Sequence, residues 1–377
     1  MSSSQELYTR VIHTLSPLVN VAHIAHLTNW VWIVVGIMQA QSVALSQIAV
    51  YIPGEAQAES RVTTIRRWLK NFRVDVWAFY RPVLEHVLQQ WQTVTAIVML
   101  DGVLVFGDRW QIFRLSLAHG GRAIPLVWLV LPGKGLTQME KLEALLKRAA
   151  TFLQGRVQQV IFLADAGFRD CDWAQLCLKI GWHYAIRIAC NTYVTLDDGG
   201  YGSIQALGVK RGQRRYYQQV WLTQDRKLLT NLTVTWTPGD DRHPPEMLAL
   251  ISDQPAARAR LREYAIRMHA EESFRDDKSG GFDMAHTRLQ HADRLERLLL
   301  ALAIATLWCH ELGEHVLAEG EAARRAIDPG PTRELSLFQL GLRWLQRCIS
   351  TNLNRLPAFM ARLSPLKHLA VVRAGAS

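Results

Sequence analysis

The sequence predicts an α/β protein whose central strands are flanked by helical regions at both ends of the chain. Between residues 93 and 190, short apolar runs typical of buried strands alternate with segments that have helical spacing. Residues 191–255 are rich in β-forming and turn residues, whereas residues 1–92 contain few strand signals. The chain has 377 residues, which is enough for two or three structural units.

The composition indicates a globular protein with a polyanionic partner. Hydrophobic residues make up 49% of the chain, and the formal net charge is +10. Nucleic acid is the partner that this charge suits best, because Lys and Arg side chains neutralise phosphates. The charge alone leaves ribosomal and membrane-surface binding open.

The sequence predicts neither a secretory nor a membrane protein. The five cysteines form no Cys-x-x-Cys pair and no zinc pattern, as in reduced cytoplasmic proteins. The start of the chain lacks the basic and then apolar layout of a signal peptide. The apolar runs at 30–38 and 298–309 are shorter than the roughly 18–20 residues that span a bilayer. Both runs therefore predict buried helices, and no membrane partner is expected.

In the N-terminal region the sequence predicts two short helices joined by a turn, over residues 43–52 and 61–71. Pro53 and Gly54 end the first helix, and Ser60 can cap the second. This layout is typical of a helix-turn-helix DNA reader, although an ordinary basic amphipathic helix fits the second segment equally well. The cations predicted to face outward, and to contact DNA, are Arg61, Arg66, Arg67 and Lys70.

From residue 93 onward, the order of predicted elements is that of a ribonuclease H-like core. An antiparallel meander comes first, followed by a helix, a strand, a second helix and a last strand. The strands are predicted over residues 95–100, 103–106, 112–118, 124–131, 157–163 and 183–188. The helices are predicted over residues 136–153 and 170–180.

Two aspartates stand where apolar strands end in this prediction. Asp101 follows the strand over 95–100, and Asp165 follows the strand over 157–163. A buried carboxylate is costly unless it is paired or binds a cation. Either aspartate alone is equally well explained as the cap of a turn near Gly. Two of them on neighbouring strands favour a shared site.

Residues 191–255 predict a β-rich insertion between the second aspartate and the helical segment that follows. Its strands are predicted over 192–196, 216–222, 227–236 and 247–252. One turn of the insertion combines aromatic residues with cations and suits contact with a DNA backbone and bases, although a solvated hairpin is an equal alternative. The cations of this turn are Lys210, Arg211, Arg214 and Arg215.

After the insertion, the spacing predicts one helix that carries a stripe of charged residues. Tyr264, Arg267, Glu271 and Lys278 fall within roughly 60° of one another on a helix of about 100° per residue. Arg275 shares that face. An alternative is a solvated helix face with ion pairs between residues four apart. If the face is functional, its carboxylate suits a divalent metal ion and its cations suit phosphates.

This Tyr-x2-Arg-x3-Glu-x6-Lys spacing resembles the signature of the insertion-sequence 4 family of bacterial transposases, which are DDE enzymes on a ribonuclease H-like fold. Asp165-x-Gly-Phe168 resembles the second-aspartate motif of the same family. The resemblance implies a catalytic, metal-binding triad of Asp101, Asp165 and Glu271. Asp108, in a turn, and Glu272, about 100° away from Glu271, are the rejected alternatives.

The resemblance also implies an activity: cut-and-paste cleavage and transfer of DNA strands, with or without a hairpin intermediate. Two Mg²⁺ or Mn²⁺ ions per active site would serve phosphoryl transfer, and Tyr264, Arg267 and Lys278 would contact phosphates near the cleaved end. The partners would be double-stranded DNA, as the inverted-repeat ends and the target, and a second copy of the chain in the DNA complex. The location would be the bacterial cytoplasm, at the nucleoid.

Some members of that family carry a Trp in the strand before the signature, where it stacks on a flipped base beside the hairpin end. The strand predicted over 247–252 has no Trp, and Trp236 or Trp221 is the available substitute. Two rival functions stay open: a DDE-fold nuclease or domesticated recombinase, and a non-catalytic DNA-binding protein whose carboxylates cap turns.

The predicted boundaries divide the chain into five segments. They are a helical DNA-binding domain (1–92), the first part of the catalytic core (93–190), the β-rich insertion (191–255), the second part of the core (256–318) and a helical C-terminal region (319–377). In the last two segments, helices are predicted over 295–317 and 335–349. The basic tail suits DNA, dimerisation or solubility equally well.

Overall fold

A computed structural model describes residues 2–133, 139–165, 171–223, 227–239, 244–284 and 288–365. In these ranges the chain is a mixed α/β structure built around one sheet. The N-terminal helices are α1 Ser3–Leu18, α2 Ile24–Ala40, α3 Leu45–Val50, α4 Ala58–Lys70 and α5 Val76–Val87. The C-terminal helices are α8 Arg258–Ala265, α9 Met268–Arg275, α10 Ala292–Ala318, α11 Glu321–Arg325 and α12 Leu337–Thr351.

The sheet holds ten strands in the described ranges, in the order β3-β2-β1-β4-β5-β10-β9-β8-β6-β7. Two helices, α6 Met139–Leu153 and α7 Cys171–Lys179, connect β3 to β4 and β4 to β5. The first five strands are β1 Thr95–Val105, β2 Trp110–His119, β3 Arg122–Pro132, β4 Gln159–Ala164 and β5 His183–Ile188. The others are β6 Tyr193–Thr195, β7 Tyr201–Ser203, β8 Arg215–Leu222, β9 Leu228–Trp236 and β10 Met247–Ser252.

The prediction of two separate strands over 95–100 and 103–106 is wrong. β1 runs without a break through Asp101 and Gly102, because both residues stay paired with β2, opposite Arg114 and Phe113. The pairing with β2 is antiparallel and continues to Val105, whereas the parallel pairing with β4 ends at Leu100.

The strands of the insertion extend the central sheet. β10 pairs antiparallel with β5, with Ala249 opposite Ile188, and β9 and β8 follow beyond it. Side chains alternate between the two faces of a strand, so this pairing joins the buried residues of β10 and β9 to the core under β5.

Helices cover both faces of the central strands. On one face, α9 packs through Ala270 against a small cluster that includes Ile97, Met99, Ile161 and Leu163. On the other face, the alternate residues of the same strands belong to the main core, to which α6, α7 and α10 contribute. Because α10 contacts α2, α4, α5, α12 and β3, it joins the N-terminal helices to the sheet.

In α4, four apolar side chains are buried as the spacing predicts: Val62, Ile65, Trp68 and Leu69. The helix begins at Ala58, with Gln57 at its N-cap, so Ser60 lies inside the first turn and does not cap it. Ala58 and Glu59 extend the helix because both favour helix, and an acidic side chain is favourable near a helix N-terminus.

Some predicted positions lie outside the described residues. They include Gly167 and Phe168 of the second-aspartate motif, Asp170 and the first three residues of the helix predicted over 136–153. Within the described ranges, none of the helices has both the length and the apolar character that crossing a membrane requires.

The buried Arg297 of α10 connects the N-terminal helices to the rest of the fold. Its Nη1 donates to the carbonyl oxygen of Leu69 at 3.0 Å, and its Nε donates to that of Val74 at 3.1 Å. The same Nη1 lies 2.7 Å from the Asp293 carboxylate. One planar guanidinium thus supplies hydrogen-bond donors to carbonyl oxygens on both sides of the turn between α4 and α5.

We expect Arg297→Ala to lower the free energy of unfolding by about 1–3 kcal/mol, because two buried carbonyl oxygens lose their donor. Thermal unfolding followed by circular dichroism measures the change. Arg343→Ala, at an exposed position of α12, is the matched control and should unfold as the wild type does. Equal midpoints for the two variants would contradict the role given to Arg297.

Candidate active site

Parallel pairing of β1 and β4 brings two aspartates together. The last paired residues are Leu100 and Ala164, and the next residue on each strand is an aspartate, Asp101 or Asp165. By alternation both carboxylates lie on the sheet face that α9 covers, since Met99 and Leu163 pack against Ala270 there. Asp165 follows its strand as predicted, whereas Asp101 lies within β1, at the point where its pairing with β4 stops.

Asp101 is partly buried, and this raises the pKa of its carboxyl group. Burial is the main cause, and the nearby Glu271 carboxylate acts in the same direction. The backbone N–H of Gly102, which donates to Asp101 Oδ1 at 2.8 Å, and the guanidinium groups of Arg267 and Arg114 oppose the rise. The carboxylate thus lies within the electrostatic range of both Arg267 and Glu271.

The prediction of one continuous helix from Tyr264 to Lys278 is wrong. A tight turn at Ile266 and Arg267 separates α8 from α9, with Arg267 N donating to the Tyr264 carbonyl oxygen at 2.9 Å. Ile266 and Arg267 keep right-handed helical backbone angles, so α8 and α9 are joined by one tighter turn, and the buried Arg267 side chain lies between two carboxylates.

Tyr264 and Arg267 both approach Asp165, and Arg267 also bonds Glu271. The Tyr264 hydroxyl donates to Asp165 Oδ1 at 3.2 Å. Arg267 Nη2 bonds Glu271 Oε1 and lies 3.8 Å from Asp165 Oδ2. Arg267 therefore bridges two of the three predicted catalytic carboxylates.

The protonation of Tyr264 and Arg267 follows from these contacts. Burial raises the pKa of the Tyr264 phenol, and Asp165 adds to that rise against the opposing charge of Arg267. Burial works against the charged form of Arg267, yet Tyr264, Asp165 and Glu271 together raise its pKa. The phenol keeps its proton and can donate it in a hydrogen bond, while the guanidinium stays charged.

A short π-helical turn, Asp276–Gly280, carries Lys278 beyond the end of α9. Two ion pairs, the first buried and the second partly buried, fix this turn to the sheet: Arg114 Nη1 lies 2.5 Å from Asp277 Oδ2, and Arg122 Nε lies 2.7 Å from Asp276 Oδ2. Lys278, which lies between these two aspartates and the exposed Ser279 and Gly280 in the sequence, is only partly exposed. The turn thus presents one lysine from a rigid, doubly anchored backbone.

Arg275 is predicted on the stripe of Glu271, but its guanidinium bonds Glu272. The distance from Arg275 Nη1 to Glu272 Oε1 is 2.8 Å, and Glu272 also lies 3.5 Å from Arg122. Glu272 therefore forms ion pairs with Arg275 and Arg122 and does not belong to the predicted face of Tyr264, Arg267 and Glu271.

Sequence reasoning missed several charged residues around the site. Arg187 of β5 lies 3.8 Å from Asp165 Oδ1 and 2.7 Å from Glu246 Oε1. Arg114 stacks 4.0 Å from the centre of the Phe274 ring, on the inner side of α9. The available signal was the single arginine among the mostly apolar residues of each strand, since a buried cation needs an acidic partner.

The other predicted DNA-contacting cations divide into tethered and exposed side chains. Arg61 is partly buried, and its Nη1 donates to the Ile52 carbonyl oxygen at 2.7 Å. Arg66 pairs with Glu59 at 2.9 Å on the exposed side of α4. Side chains that stand exposed on α4 and on the turn before β8 are Arg66, Arg67, Lys70, Lys210, Arg211, Arg214 and Arg215.

A family model described as a transposase DDE domain matches residues 114–308, just over half of the chain. The chain belongs to the DDE transposase family. Asp165 and Glu271 lie within the matched range of this transposase, and Asp101 lies before it. The chain matches no curated protein sequence.

Two solved structures resemble this DDE transposase weakly. One is a piggyBac transposase synaptic complex with hairpin DNA, at 10% identity and a TM-score of 0.45, covering 94% of this chain and 80% of that one. The other is the Marinitoga piezophila Argonaute with guide RNA and target DNA, at 9% identity and a TM-score of 0.22, covering 67% and 34%. Such scores identify neither a partner nor an activity of this chain.

The donor chemistry of the transposase site fits a divalent cation. Asp101, Asp165 and Glu271 supply only oxygen donors, which Mg²⁺ and Mn²⁺ prefer. Within the described ranges, however, no group of three His, Cys, Asp or Glu side chains comes together as a metal site. Arg267 bonds Glu271, so Glu271 would have to leave this partner for all three carboxylates to share cations.

We expect Asp101→Asn to raise the thermal unfolding midpoint at pH 7. The raised pKa means that the folded protein disfavours the Asp101 carboxylate, and this penalty is complete only above that pKa. The increase in unfolding midpoint of Asp101→Asn over wild type should therefore shrink as the pH falls towards 3.8, the ordinary pKa of an Asp side chain. Asn keeps the acceptor for Gly102 N–H.

Asp165→Asn serves as the matched control in the same pH series. It removes the negative charge that Tyr264, Arg187 and Arg267 approach, so it should give no gain at pH 7. A midpoint for Asp101→Asn that is lower than wild type at pH 7, or independent of pH, would contradict the expected cost of the Asp101 charge.

Proposed function

We propose that this chain is a transposase of the insertion-sequence 4 family, which cleaves DNA strands at the ends of its element and joins them to a target. One observation carries the proposal. Asp101 and Asp165 are neighbours on one sheet face, and the helix that covers this face joins Glu271 to Asp165 through Arg267. Three carboxylates with a phenol and cations around them are suited to phosphoryl transfer on DNA.

The order of the first five strands supports a ribonuclease H-like core. β1, β4 and β5 are parallel neighbours, and β2 and β3 extend the sheet antiparallel from the other side of β1. In open sheets of this kind, sites form at the carboxyl ends of the parallel strands, where Asp165 and the neighbouring Asp101 lie.

Asp101, Asp165 and Glu271 are the proposed ligands of two Mg²⁺ or Mn²⁺ ions. Bound there, the ions would activate the attacking oxygen and stabilise the leaving one in an in-line displacement. The Arg267 and Lys278 side chains would neutralise phosphate charges of the DNA. The Tyr264 hydroxyl would donate a hydrogen bond to a phosphate oxygen. Arg275 reaches a phosphate only if it leaves Glu272.

DNA binding away from the active site is proposed for two surfaces. One is α4 with its exposed cations, within a DNA-binding region of residues 1–92. The other is the turn before β8, where Arg211 lies 5.4 Å from the centre of the Trp236 ring. The net charge of +10 supports both. A cut-and-paste reaction at two ends also calls for two copies of the chain in the bacterial cytoplasm.

The remaining segments take their proposed roles from this reaction. Residues 93–190 and 256–318 form the catalytic core, residues 191–255 the insertion and residues 319–377 a helical C-terminal region. Trp236 and Trp221 are the proposed base-stacking residues if a hairpin forms. Trp236 donates its indole N–H to the Val209 carbonyl oxygen at 2.7 Å, so stacking on a base by Trp236 must keep or break that bond.

We expect Glu271→Gln to abolish cleavage of a linear DNA that carries the flanks of the gene, in Mg²⁺ or in Mn²⁺, while DNA binding persists. The reason is that Gln keeps the shape of Glu but loses the charge that a cation needs. Cleavage sites are read on sequencing gels, and binding by electrophoretic mobility shift.

Glu272→Gln is the control for this substitution. Glu272 bonds Arg275 and Arg122, so this variant should cut at the same positions as wild type. Binding without cleavage by the wild type in both metals would instead favour a non-catalytic DNA-binding protein. Cleavage without joining to a target would favour a nuclease or a domesticated recombinase.

A further inference from the structure

The turn between α4 and α5 displays a bare aromatic ring at the end of a basic helix. Phe72 has 81% of its surface exposed, the highest value among the large hydrophobic residues that the structure describes as exposed. It follows directly after Lys70 and Asn71 and precedes Arg73, whose guanidinium lies 5.9 Å from the centre of the Phe72 ring. An exposed phenyl group costs free energy in water, so a binding partner that covers the ring would recover that cost.

The backbone that carries Phe72 is held on both sides. Val74 N donates to the Asn71 carbonyl oxygen at 3.1 Å, which closes a turn with Phe72 and Arg73 at its apex. The Asn71 side chain accepts from Arg73 N at 3.1 Å and contacts His26 of α2 at 2.9 Å. A side chain on such a turn binds with little loss of backbone freedom.

Residues on both sides of this turn are also bonded to α10 or buried in the core. Arg297 donates to the Leu69 and Val74 carbonyl oxygens, one before and one after the apex. Trp68 and Val74 are buried, and the Trp68 indole N–H donates to the His26 carbonyl oxygen at 2.8 Å. The Phe72 side chain is therefore exposed although residues on both sides of it, Trp68 and Val74, are buried.

The charges around the ring indicate what it contacts. Arg67, Lys70 and Arg73, all within five residues of Phe72 in the sequence, are exposed, and none of the three forms an ion pair within the part of the chain that the structure describes. The nearest acidic residue along the chain, Asp75, caps α5 by accepting from Ala78 N at 2.6 Å. An apolar ring among cations matches a polyanion with flat apolar surfaces inside, which is nucleic acid.

We propose that Phe72 is a wedge that inserts between bases of the duplex bound by α4 and unstacks them. The proposal rests on the DNA-binding role proposed above for α4. Lys70 and Arg73 would hold the phosphates on either side, while the ring enters the stack. Unstacking one step costs free energy, and the new aromatic contact together with the burial of the exposed ring outweighs that cost, as with other apolar wedges that enter DNA.

The test compares full-length Phe72→Ala, Phe72→Trp and wild type on duplexes that carry the flanks of the gene. We expect Phe72→Ala to bind about 10-fold more weakly, the order of one base–aromatic stack. Phe72→Trp should restore the affinity. Chemical probing with permanganate for thymines and diethyl pyrocarbonate for purines should reveal unstacked bases with wild type and Phe72→Trp, but not with Phe72→Ala.

Salt dependence separates this inference from the role of α4 itself. Lys70→Ala and Arg73→Ala should each reduce the slope of log K against log salt by about one, whereas Phe72→Ala should leave the slope unchanged. If the lysine and arginine variants keep the full slope, the role of α4 fails. If they lower it while Phe72→Ala binds and unstacks as wild type does, only the wedge is wrong.

Two controls show whether the effect is specific to this ring and to DNA. Leu178→Ala removes an exposed apolar side chain from α7 and should leave both affinity and base reactivity unchanged. Sedimentation without DNA should give the same mass for Phe72→Ala and wild type. A DNA-free association that only the wild type shows would make a second copy of the chain the partner of Phe72, and would overturn the proposal.

Discussion

The parallel pairing of β1 with β4 is the constraint on which the candidate site depends. Its register places Leu100 beside Ala164, and therefore Asp101 beside Asp165 on the same sheet face. Two carboxylates in a partly buried place repel each other and lose hydration. The fold offsets that cost with cations from other elements: Arg267 and Arg187 approach Asp165, and Arg114 lies opposite Asp101 on the neighbouring strand β2.

The position of α9 on this face depends on small residues and on reciprocal hydrogen bonds. Ala270 is almost fully buried against the sheet, so the helix axis comes close to β1 and β3. Ser273 Oγ accepts from Ala123 N at 2.7 Å and donates to Ala123 O at 3.1 Å, which fixes the rotation of the helix. Gln339 of α12 then bonds Asp276 and Gly280 at its end. Glu271 is consequently presented by a helix that is held along its whole length.

The sequence predicted those parts of the site that local patterns determine. The apolar run before Asp165 and the bounds of β5 could be read directly, because buried strands leave a continuous apolar signal. The continuation of β1 through Asp101 could not, since it depends on a partner strand that follows later in the chain. The turn at Ile266 and Arg267 could not be read either, because neither residue is Gly or Pro and the helical spacing continues through both. Contacts between distant parts of the chain leave no periodic pattern in the local sequence.

Arg187 shows how the insertion is connected to the proposed chemistry. It lies on β5, which borders the core strands on one side and β10 on the other. Its two carboxylate partners belong to these two regions: Asp165 at 3.8 Å and Glu246, directly before β10, at 2.7 Å. Because Glu246 is closer than Asp165, the Arg187 cation interacts more strongly with Glu246. Glu246 lies directly before β10, so the strand that extends the sheet beyond β5 brings a second carboxylate to the cation beside Asp165.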